Sequence, residues 1–493
     1  MYFLGYDIGS SSIKCALYNA NTNEIIATVQ SPESELPILS PVENYAEQDP
    51  ETWWQHVLLS TQQLFDTHTI DKAKISGIGI AYQMHGLVII DSNKKIIRPS
   101  IIWCDSRAIE TGDSIAKTSE EKEFLASYYN MPGNFTFSKL VWVKKNEPEN
   151  FSRIWKFLLP GDFIALKMTD RPTSTITGLS EGIMWNFEKN EPAFELFDQQ
   201  DVPRSFIPDI GTSFEPLGKL TESAAKKLGL PSGIPISYRS GDQPNNAFSL
   251  NVSRPGILAA TGGTSGVIYG VSDQPVIDHR QRTNSFAHVN YTKKTPKIGT
   301  LLCINGTGIM YSWIRKNISD SGKSYPQLEK EAAEIKQGSE GLITLPFGNG
   351  AERIFQNKTI GGHLIGIDLN RHGKKHIIRS ALEGIAFAFV YSIEILQSLG
   401  ISTETMRVGN DNLFQSKVFS QTIADLAKVN IEMVKATGAV GAAIGAAIGV
   451  SYFDTIDDAF DNQNIVFKFQ PQDQNPELLK SYNFWKEELK KFL

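Results

Sequence analysis

The two halves of this 493-residue sequence begin with the same order of short apolar segments and small-residue turns. In the first half, three strand-like segments at residues 2–7, 12–18 and 24–30 are separated by the turns DIGSS and NANTN. The second half repeats the order at residues 256–260, 267–271 and 297–304. Because successive apolar segments joined by short turns favour antiparallel pairing, each half is predicted to open with a meander. The repeat predicts two α/β domains, at residues 1–245 and 246–493.

Helices and further strands follow each meander. In the first half, Asp49 is the predicted N-cap of a helix with Pro50 in its first turn. A strand at 75–81 and a strand pair at 86–91 and 95–103 come next, and residues 246–255 are predicted to connect the halves. In the second half we predict helices at 309–316, 327–336, 374–397, 413–428, 437–450 and 476–492, and strands at 406–408 and 431–434.

The turns of the two leading hairpins carry residues suited to anion binding. The first turn, Gly9 to Ser12, is followed by Lys14, and the second is GGTSG at 262–266. Glycine lets consecutive backbone amides approach an anion closely. Either loop alone is more simply interpreted as an ordinary hairpin turn, but two such loops facing each other across a cleft would clamp a triphosphate. The GxxxxGK[ST] pattern is absent from the sequence, and a strand rather than a helix follows GGTSG, so a P-loop and a dinucleotide fingerprint are both excluded.

Two carboxylates lie close in sequence to these loops. Asp7 ends the first apolar strand, where a carboxylate can hold a hydrated Mg²⁺ that needs few protein ligands. Asp242 lies in a Gly-Asp-Gln-Pro turn shortly before the second loop. A carboxylate beside a phosphate loop is suited to act as the general base of a phosphoryl transfer, and the alternative is a turn residue that caps the following segment.

Composition excludes several classes of function. A net charge of −6 and a pI near 5.9 argue against non-specific binding to nucleic acid or to an anionic membrane. The most apolar stretch, TGAVGAAIGAAIGV at 437–450, is shorter than the roughly 20 residues of a membrane span. It predicts a helix of small residues against which a strand or a nucleotide packs closely. Three cysteines without metal-ligand spacing, and an N-terminus without a basic signal-peptide region, indicate a cytoplasmic protein.

The sequence resembles the FGGY family of carbohydrate kinases from Tyr2 to about Val450. GHLIGIDLNRHGKKHIIRSALE at 362–383 agrees with the C-terminal signature of the family. NFTFSKLVWVKKNE at 134–147 agrees with the N-terminal signature except at Asn134, where a small or aromatic residue is usual. Among the branches of the family, YQMHG at 82–86 and RPSIIWCDSRA at 98–108 are most similar to the xylulose kinases, although Cys104 replaces an expected Asn.

This resemblance implies a fold, and it implies roles for individual residues. The fold is α/β, with two actin-like or ribonuclease H-like domains flanking an interdomain cleft. Asp242 corresponds to the general base, and Asp7 to the residue that organises Mg²⁺. The implied sugar-binding residues are Gln83, Met84, His85, Asp242 and Gln243. The implied ATP-binding residues are Gly9, Ser10, Ser11, Lys14, Gly263, Thr264, Gly306, Gly409, Asn410 and Asn412. For Asn410, contact with the adenine and capping of the helix from Leu413 are equally compatible with the sequence.

The resemblance implies an ATP-dependent sugar kinase that converts a pentulose, D-xylulose first, to its 5-phosphate. In glycerol kinases Arg-Glu replaces the Met84-His85 pair, which disfavours a triol substrate. The alternatives are a kinase for ribulose, another ketose or gluconate, and a nucleotide switch of the actin or chaperone type. A sugar-sensing regulator is a further alternative, but such proteins usually carry a basic helix-turn-helix. The expected partners are the sugar and ATP, without nucleic acid or membrane, and the family allows a homodimer.

Overall fold

The computed structural model describes residues 1–461, 463–473 and 475–493. In the first half the strands are β1 (Tyr2–Ile8), β2 (Ile13–Asn19), β3 (Glu24–Ser31), β4 (Glu47–Gln48), β5 (Ile75–Tyr82), β6 (Val88–Ile90), β7 (Ser100–Ile101), β8 (Lys156–Leu158), β9 (Thr173–Thr175), β10 (Trp185–Asn186), β11 (Glu191–Pro192), β12 (Asp209–Gly211) and β13 (Ile236–Gly241). The helices there are α1 (Pro50–Thr67), α2 (Ile109–Ala116), α3 (Glu121–Tyr128), α4 (Thr136–Asn146), α5 (Pro148–Ser152), α6 (Pro160–Thr169), α7 (Ile176–Glu181), α8 (Phe194–Gln199), α9 (Glu222–Leu228) and α10 (Asp242–Ser249).

The second half continues this alternation of strands and helices. Its strands are β14 (Ile257–Gly262), β15 (Gly266–Ser272), β16 (Asn284–Ala287), β17 (Ile298–Ile304), β18 (Ile343–Glu352), β19 (Lys358–Ile365), β20 (Thr405–Gly409), β21 (Asn430–Val434) and β22 (Ile465–Phe469). Its helices are α11 (Gly308–Asn317), α12 (Tyr325–Ala333), α13 (Lys374–Ser398), α14 (Lys417–Ala427), α15 (Gly438–Gly449), α16 (Ile456–Phe460) and α17 (Pro476–Lys490). Short 3₁₀ helices lie at Lys72–Lys74, Arg204–Phe206, Ser339–Gly341, Arg353–Phe355 and Asn412–Gln415.

The two large sheets share one strand order. The first sheet runs β13-β5-β1-β2-β3, with β1 antiparallel to β2 and parallel to β5. In the second sheet, β21-β20-β14-β15-β17 follows the same order, with β14 antiparallel to β15 and parallel to β20. The predicted repeat is therefore confirmed. Because β1, β5 and β13 are parallel, their carboxyl ends lie at one edge of the first sheet, which is where ligands bind in open α/β sheets.

Helix α15 lies late in the sequence but packs on the first sheet, against β1, β5 and β13. The contact is close enough that a β-carbon on Gly79 would overlap the carbonyl oxygen of Ala442. Ala439 and Ala443 lie in the same way against Gly5. Of the two partners predicted for this small-residue helix, the strand is confirmed. Because α15 comes from the second half of the sequence, that half contributes part of the core beneath the first sheet.

Hydrophobic cores lie on both sides of each sheet. Helix α13 supplies much of the core of the second half. By length and composition α13 could also cross a membrane, but 83% of its most apolar window is buried inside the protein. A separate cluster built on Phe137, Leu179 and Trp185 connects the helices between β5 and β13 to Tyr291 of the second half.

Four local predictions need correction. Residues 95–103 form the two-residue β7 instead of a long strand, although Leu87–Ile101 and Ile90–Ile96 bridges preserve the predicted pairing. Pro99 accounts for part of this difference, because proline gives a ladder no N–H donor. The helix predicted at 413–428 is divided by Ser416, whose hydroxyl caps α14. Asp242 begins α10 and does not lie in a turn. Pro244 does not prevent this, because proline is compatible with the first turn of a helix. The same helix covers the first part of the predicted connection at 246–255.

Candidate active site

A cavity of about 250 Å³ opens at the edge of the first sheet where β1, β5 and β13 end. It brings together seven of the predicted site residues, namely Asp7, Gly9, Ser10, Ser11, Lys14, Gln83 and Asp242. Ser12 and Trp103 complete its lining. The carboxylates, the small-residue turn and the lysine are therefore neighbours in space, as the sequence predicted.

Asp242 is placed in this cavity by the end of β13 and the start of α10. Burial and the negative charge of Asp7 raise its pKa from 3.8 to about 7, while hydrogen-bond donors on Gln243 act in the opposite direction. Gln243, which is predicted to help hold the sugar, thus supplies donors to the Asp242 carboxylate. A carboxylate that titrates near neutral pH can accept a proton within the physiological range.

Asp7 lies on β1 opposite Lys14 of β2. Burial raises the pKa of Asp7, and the charge of Lys14 opposes that rise. Two carboxylates that face one cavity, with the charge of Asp7 opposing the ionisation of Asp242, constitute a site that favours a cation. Among the described residues, no group of three or more His, Cys, Asp or Glu side chains is arranged to hold a metal ion. Mg²⁺ needs one or two carboxylates and completes its shell with water and phosphate, so the residues present fit this ion.

The Gly9–Ser12 turn is held from several directions. The amide of Gly9 donates to the carbonyl of Ser12 at 3.1 Å and closes the turn. Gln48 donates through Nε2 to the carbonyl of Ser10 at 2.7 Å, and the indole N–H of Trp103 donates to Oγ of Ser10 at 3.2 Å. The turn is thereby prepared before any ligand arrives, which lowers the cost of ordering it on binding.

The YQMHG segment lies next to the cavity, and its backbone has an unusual conformation at His85. That residue has a left-handed φ of 63°, and Lys139 donates from Nζ to its carbonyl at 2.7 Å. Nδ1 of His85 lies 3.0 Å from the carbonyl of Glu181, so Nδ1 carries the proton and Nε2 is left as an acceptor. Burial lowers the pKa of His85 to about 3, which keeps the ring neutral.

The other two residues of the predicted sugar set are buried beside it. Gln83 donates from its backbone N–H to the carbonyl of Ile8 at 2.9 Å, which joins it to the end of β1. Met84 packs against Gly241, directly before Asp242. The ring of Phe135 meets that of His85 edge to face at 4.7 Å. Met84 therefore places an apolar side chain beside the start of α10, and its neighbour His85 carries a single ring acceptor.

The predicted nucleotide residues of the second half form a separate group, outside the lining of this cavity. Gly308 donates from its amide to the carbonyl of Gly263 at 3.1 Å, and Ile309 donates in the same way to Thr264. The 262–266 turn and the turn containing Gly306 are thus joined backbone to backbone. Leu413 packs on Gly262, which brings the GNDN turn at 409–412 next to the 262–266 turn.

The GNDN turn itself exposes both of its asparagines. Asn412 has a left-handed φ of 56°, and the amide of Asn410 donates to the carbonyl of Val434 at 3.1 Å. Gly409 ends β20. Since Ser416 is the cap of α14, the capping interpretation of Asn410 is not supported.

Several residues of this region were missed from the sequence. Glu181 is buried beside Gly241, its Oε2 has no hydrogen-bond partner, and burial together with the charge of Asp242 raises its pKa well above the usual range. Lys139, also buried, donates to two backbone carbonyls, and burial lowers its pKa to about 7. Trp103 and Lys139 belong to the motifs quoted above, so a signal was present for them. Glu181 had none.

Comparison with known proteins assigns both halves of the chain to domains of one protein family. The profile of the FGGY family of carbohydrate kinases, N-terminal domain, matches residues 2–249, and that of the C-terminal domain matches residues 258–450. A xylulose kinase of Bacillus subtilis is 27% identical over 97% of this chain and 95% of its own length. A gluconokinase of the same organism is 25% identical over 95% of this chain and 92% of its own length. The crystal structure of a xylulose kinase from Rhodospirillum rubrum superposes with a TM-score of 0.88 at 24% identity, covering 100% of this chain and 98% of that one.

Proposed function

The chain belongs to the FGGY family of carbohydrate kinases, and on that basis we propose that it phosphorylates D-xylulose to D-xylulose 5-phosphate, with ATP as donor. An ATP-dependent sugar kinase follows from the family; the choice of acceptor and the roles of the residues are the proposal. The observation that carries it is the cavity in which Asp242 and Asp7 meet the Gly9–Ser12 turn, with the YQMHG segment beside it.

In this proposal Asp242 is the general base. The sugar hydroxyl attacks the γ-phosphorus of ATP, the bond from that phosphorus to the bridging oxygen of ADP breaks, and the hydroxyl proton passes to the Asp242 carboxylate. A sugar hydroxyl is far too weak an acid to ionise beforehand, so the proton moves late in the step. A carboxylate with a pKa of about 7 is present in its ionised form in a useful fraction at neutral pH.

The sugar is held beside Asp242 by the first half, residues 1–245. Nε2 of His85 accepts a hydrogen bond from a sugar hydroxyl, Met84 supplies an apolar wall, and Gln83 and Gln243 supply amide groups. Because the carbonyl of Glu181 fixes the tautomer of His85, the direction of that hydrogen bond is defined. A neutral imidazole also adds no charge that would disturb the ionisation of Asp242.

The nucleotide is held between the two halves. Gly9, Ser10, Ser11 and Lys14 contact phosphate oxygens from the first half, and Gly263 and Thr264 from the second, residues 246–493. The turns with Gly306, Gly409, Asn410 and Asn412 adjoin Gly263 and form the nucleoside side. Asp7 would hold Mg²⁺, with Asp242 close by, and the bound ion would offset the negative charge of the phosphates. Positioning and charge stabilisation, more than proton transfer, are expected to supply most of the rate.

We choose D-xylulose as the acceptor because the YQMHG pattern is similar to that of the xylulose kinases. Of the relatives quoted above, a xylulose kinase also has the highest sequence identity to this chain. The second candidate acceptor is gluconate, which the similarity to a gluconokinase favours. Cys104, where the xylulose kinase pattern has Asn, is exposed and absent from the cavity lining, so it does not argue against xylulose. We place the enzyme in the cytoplasm, where both ATP and the free sugar are available.

The test is a coupled ADP-release assay of the wild-type chain over D-xylulose, D-ribulose, other ketoses and gluconate. We expect kcat/KM for D-xylulose to exceed that of every other acceptor by at least tenfold. A higher value for gluconate or D-ribulose would transfer the assignment to that sugar. ATP binding without phosphorylation of any acceptor would contradict the proposal altogether.

A further inference from the structure

Gln48 is a buried residue whose single side-chain amide contacts four other residues. It ends the short strand β4, which pairs with β7. Its Nε2 donates to the carbonyl of Ser10 at 2.7 Å and to that of Pro37 at 3.2 Å. Its Oε1 accepts the indole N–H of Trp53 at 3.1 Å and Nε2 of Gln83 at 3.4 Å. Both donors and both acceptor positions of the amide are therefore used.

The contacts with Trp53 and Ser10 determine which way the Gln48 amide faces. An indole N–H can only donate, so the atom that faces Trp53 is the oxygen. A backbone carbonyl can only accept, so the group that faces Ser10 is the NH₂. Trp53 lies on α1 and belongs to the core of the first half, with no exposed surface. The orientation of Gln48 is thus fixed by the core and does not depend on a ligand.

Gln48 in turn determines the orientation of Gln83. Because Oε1 of Gln48 is an acceptor, Gln83 presents its NH₂ group to it and keeps its own Oε1 free. That oxygen is buried and has no hydrogen-bond partner among the residues that the structure describes. A buried acceptor without a donor is costly, and a donor supplied by a ligand removes the cost. Gln83 lines the cavity, so its Oε1 is the end of the amide available to a sugar hydroxyl.

The two partners of Gln48 belong to different parts of one cavity lining. Ser10 is part of the Gly9–Ser12 turn, which is proposed to bind phosphate, and Gln83 is part of the segment proposed to bind the sugar. The backbone N–H of Gln83 also donates to the carbonyl of Ile8, two residues before Ser10. One planar amide therefore connects a residue of the proposed nucleotide site to a residue of the proposed sugar site. A ligand that orders either residue leaves less to be ordered when the second ligand binds.

We propose that Gln48 is a positioning residue that couples the binding of ATP to the binding of the sugar. The proposal rests on the proposed function. Gln48 exchanges no proton and acts through its partners, since it holds the carbonyl of Ser10 and the amide of Gln83 in one arrangement. ATP bound at the Gly9–Ser12 turn thereby favours the orientation of Gln83 that accepts the sugar hydroxyl. By thermodynamic linkage, the sugar raises the affinity for ATP by the same factor.

The experiment measures the Kd for D-xylulose by calorimetry, first without nucleotide and then with Mg²⁺ and a saturating non-hydrolysable ATP analogue. The ratio of the two Kd values is the coupling factor, and the same titrations are made with gluconate. The variants are Gln48→Met, which removes the amide, and Gln48→Glu, which keeps the shape and the acceptor for Gln83 but offers Ser10 no donor. Thermal unfolding shows that each variant is folded.

Gln30→Met is the matched control. Gln30 is an exposed glutamine of β3 that also donates to a proline carbonyl, that of Pro32 at 3.4 Å, and it is absent from the cavity lining. A further pair, Gln83→Met with and without Gln48→Met, tests whether Gln48 acts on the sugar through Gln83.

In the wild type and in Gln30→Met, we expect the nucleotide to lower the Kd for D-xylulose at least about fivefold. Gln48→Met should reduce this factor to below about twofold. It should also raise the nucleotide-free Kd by about three- to tenfold, the effect of one lost hydrogen bond. Gln48→Glu should lose the coupling but keep the nucleotide-free Kd within about threefold, because Gln83 is still held. Gln83→Met should lose the coupling too, and adding Gln48→Met to it should change the sugar affinity no further.

A coupling factor that stays at the wild-type value in a folded Gln48 variant would overturn the proposal, and so would a wild type without coupling. Lower stability with an unchanged coupling factor would make Gln48 a purely structural residue and overturn the proposal as well. Coupling that depends on Gln48 with gluconate but not with D-xylulose would leave this inference standing and contradict the proposed choice of acceptor. Binding of neither acceptor would overturn both.

Discussion

Gly438 lies against the carboxylate of Asp7, so close that a β-carbon at this position would stand 2.5 Å from Oδ2. Gly438 is the first residue of α15, and Asp7 is the residue proposed to hold Mg²⁺. The amino end of a helix carries unpaired amides and a partial positive charge, which suit a neighbouring carboxylate. A helix from the second half therefore fixes the position of the carboxylate that is proposed to hold Mg²⁺ on the first sheet.

Gly438→Ala should displace the Asp7 carboxylate without removing it. We expect the Mg²⁺ concentration that gives half-maximal activity to rise and kcat to fall by more than tenfold, because the added carbon overlaps that side chain. The measurement is a Mg²⁺ titration of initial rates at saturating ATP. Gly373→Ala is the control, since a β-carbon there meets no atom within 4 Å. Equal Mg²⁺ dependence in both variants would contradict the proposal that Asp7 holds the metal.

The pH dependence of the reaction should report the ionisation of Asp242. Because burial and Asp7 raise its pKa to about 7, kcat/KM should fall tenfold per pH unit as the pH drops well below 7. His85 has a pKa lowered to about 3, so His85→Gln should weaken sugar binding but keep the same acid limb. Profiles from pH 5 to 9 at fixed free Mg²⁺ would test this. Loss of the limb in His85→Gln would assign the limb to the imidazole.

Asp242→Asn should stabilise the ligand-free protein. With the pKa raised from 3.8 in the unfolded chain to about 7 in the folded one, the folded state binds the proton more tightly. Stability of the wild type is then lost as the pH rises through that window and stays low above it. This pKa difference of about three corresponds to roughly 4 kcal/mol of unfolding free energy as an upper bound. We therefore expect Asp242→Asn to raise the unfolding free energy by about 1–4 kcal/mol above pH 7, and we expect the gain to disappear near pH 4.

Urea unfolding of wild type and Asp242→Asn at several pH values, with a metal chelator present, would measure this gain. Asp242→Glu, which keeps an ionisable carboxyl, serves as the matched comparison. A gain independent of pH would mean that the charge of Asp242 is not the cause.

Gly79→Ala tests the packing of α15 on the first sheet. The new methyl group would overlap the backbone of Ala442, and overpacking of this kind costs about 1–3 kcal/mol of unfolding free energy. Thermal unfolding against the wild type, with Gly373→Ala as the control, would show the loss. An unchanged midpoint would mean that the helix can move away from β5 without cost.

Local chemistry made parts of this structure predictable. The start of α1 follows from Asp49 and Pro50, since Oδ1 of Asp49 accepts the amide of Glu51 at 3.0 Å. The duplicated sheet follows from the repeated order of apolar segments and turns. The meeting of Asp7 with Asp242 could be expected because parallel strands end at one edge of a sheet.

Other features depend on contacts between residues far apart in the chain. Glu181 ends the short helix α7, and nothing in its own sequence indicates that burial leaves its Oε2 without a hydrogen-bond partner. Gly241 and Pro244 favour a turn at Asp242 in the sequence, although both residues also suit the start of a helix. Side-chain ionisation of this kind emerges from the assembled fold.

The measurement that tests the account most directly is the activity of Asp242→Asn with D-xylulose, alongside its affinity for ATP. As the general base of a positioned phosphoryl transfer, Asp242 should be indispensable for turnover and dispensable for nucleotide binding. We predict that kcat falls by at least about 10³ while the Kd for ATP changes by less than about threefold, near the contribution of a general base together with lost positioning. A variant that phosphorylates D-xylulose within tenfold of the wild-type rate would contradict the assignment of the base and, with it, the proposed mechanism.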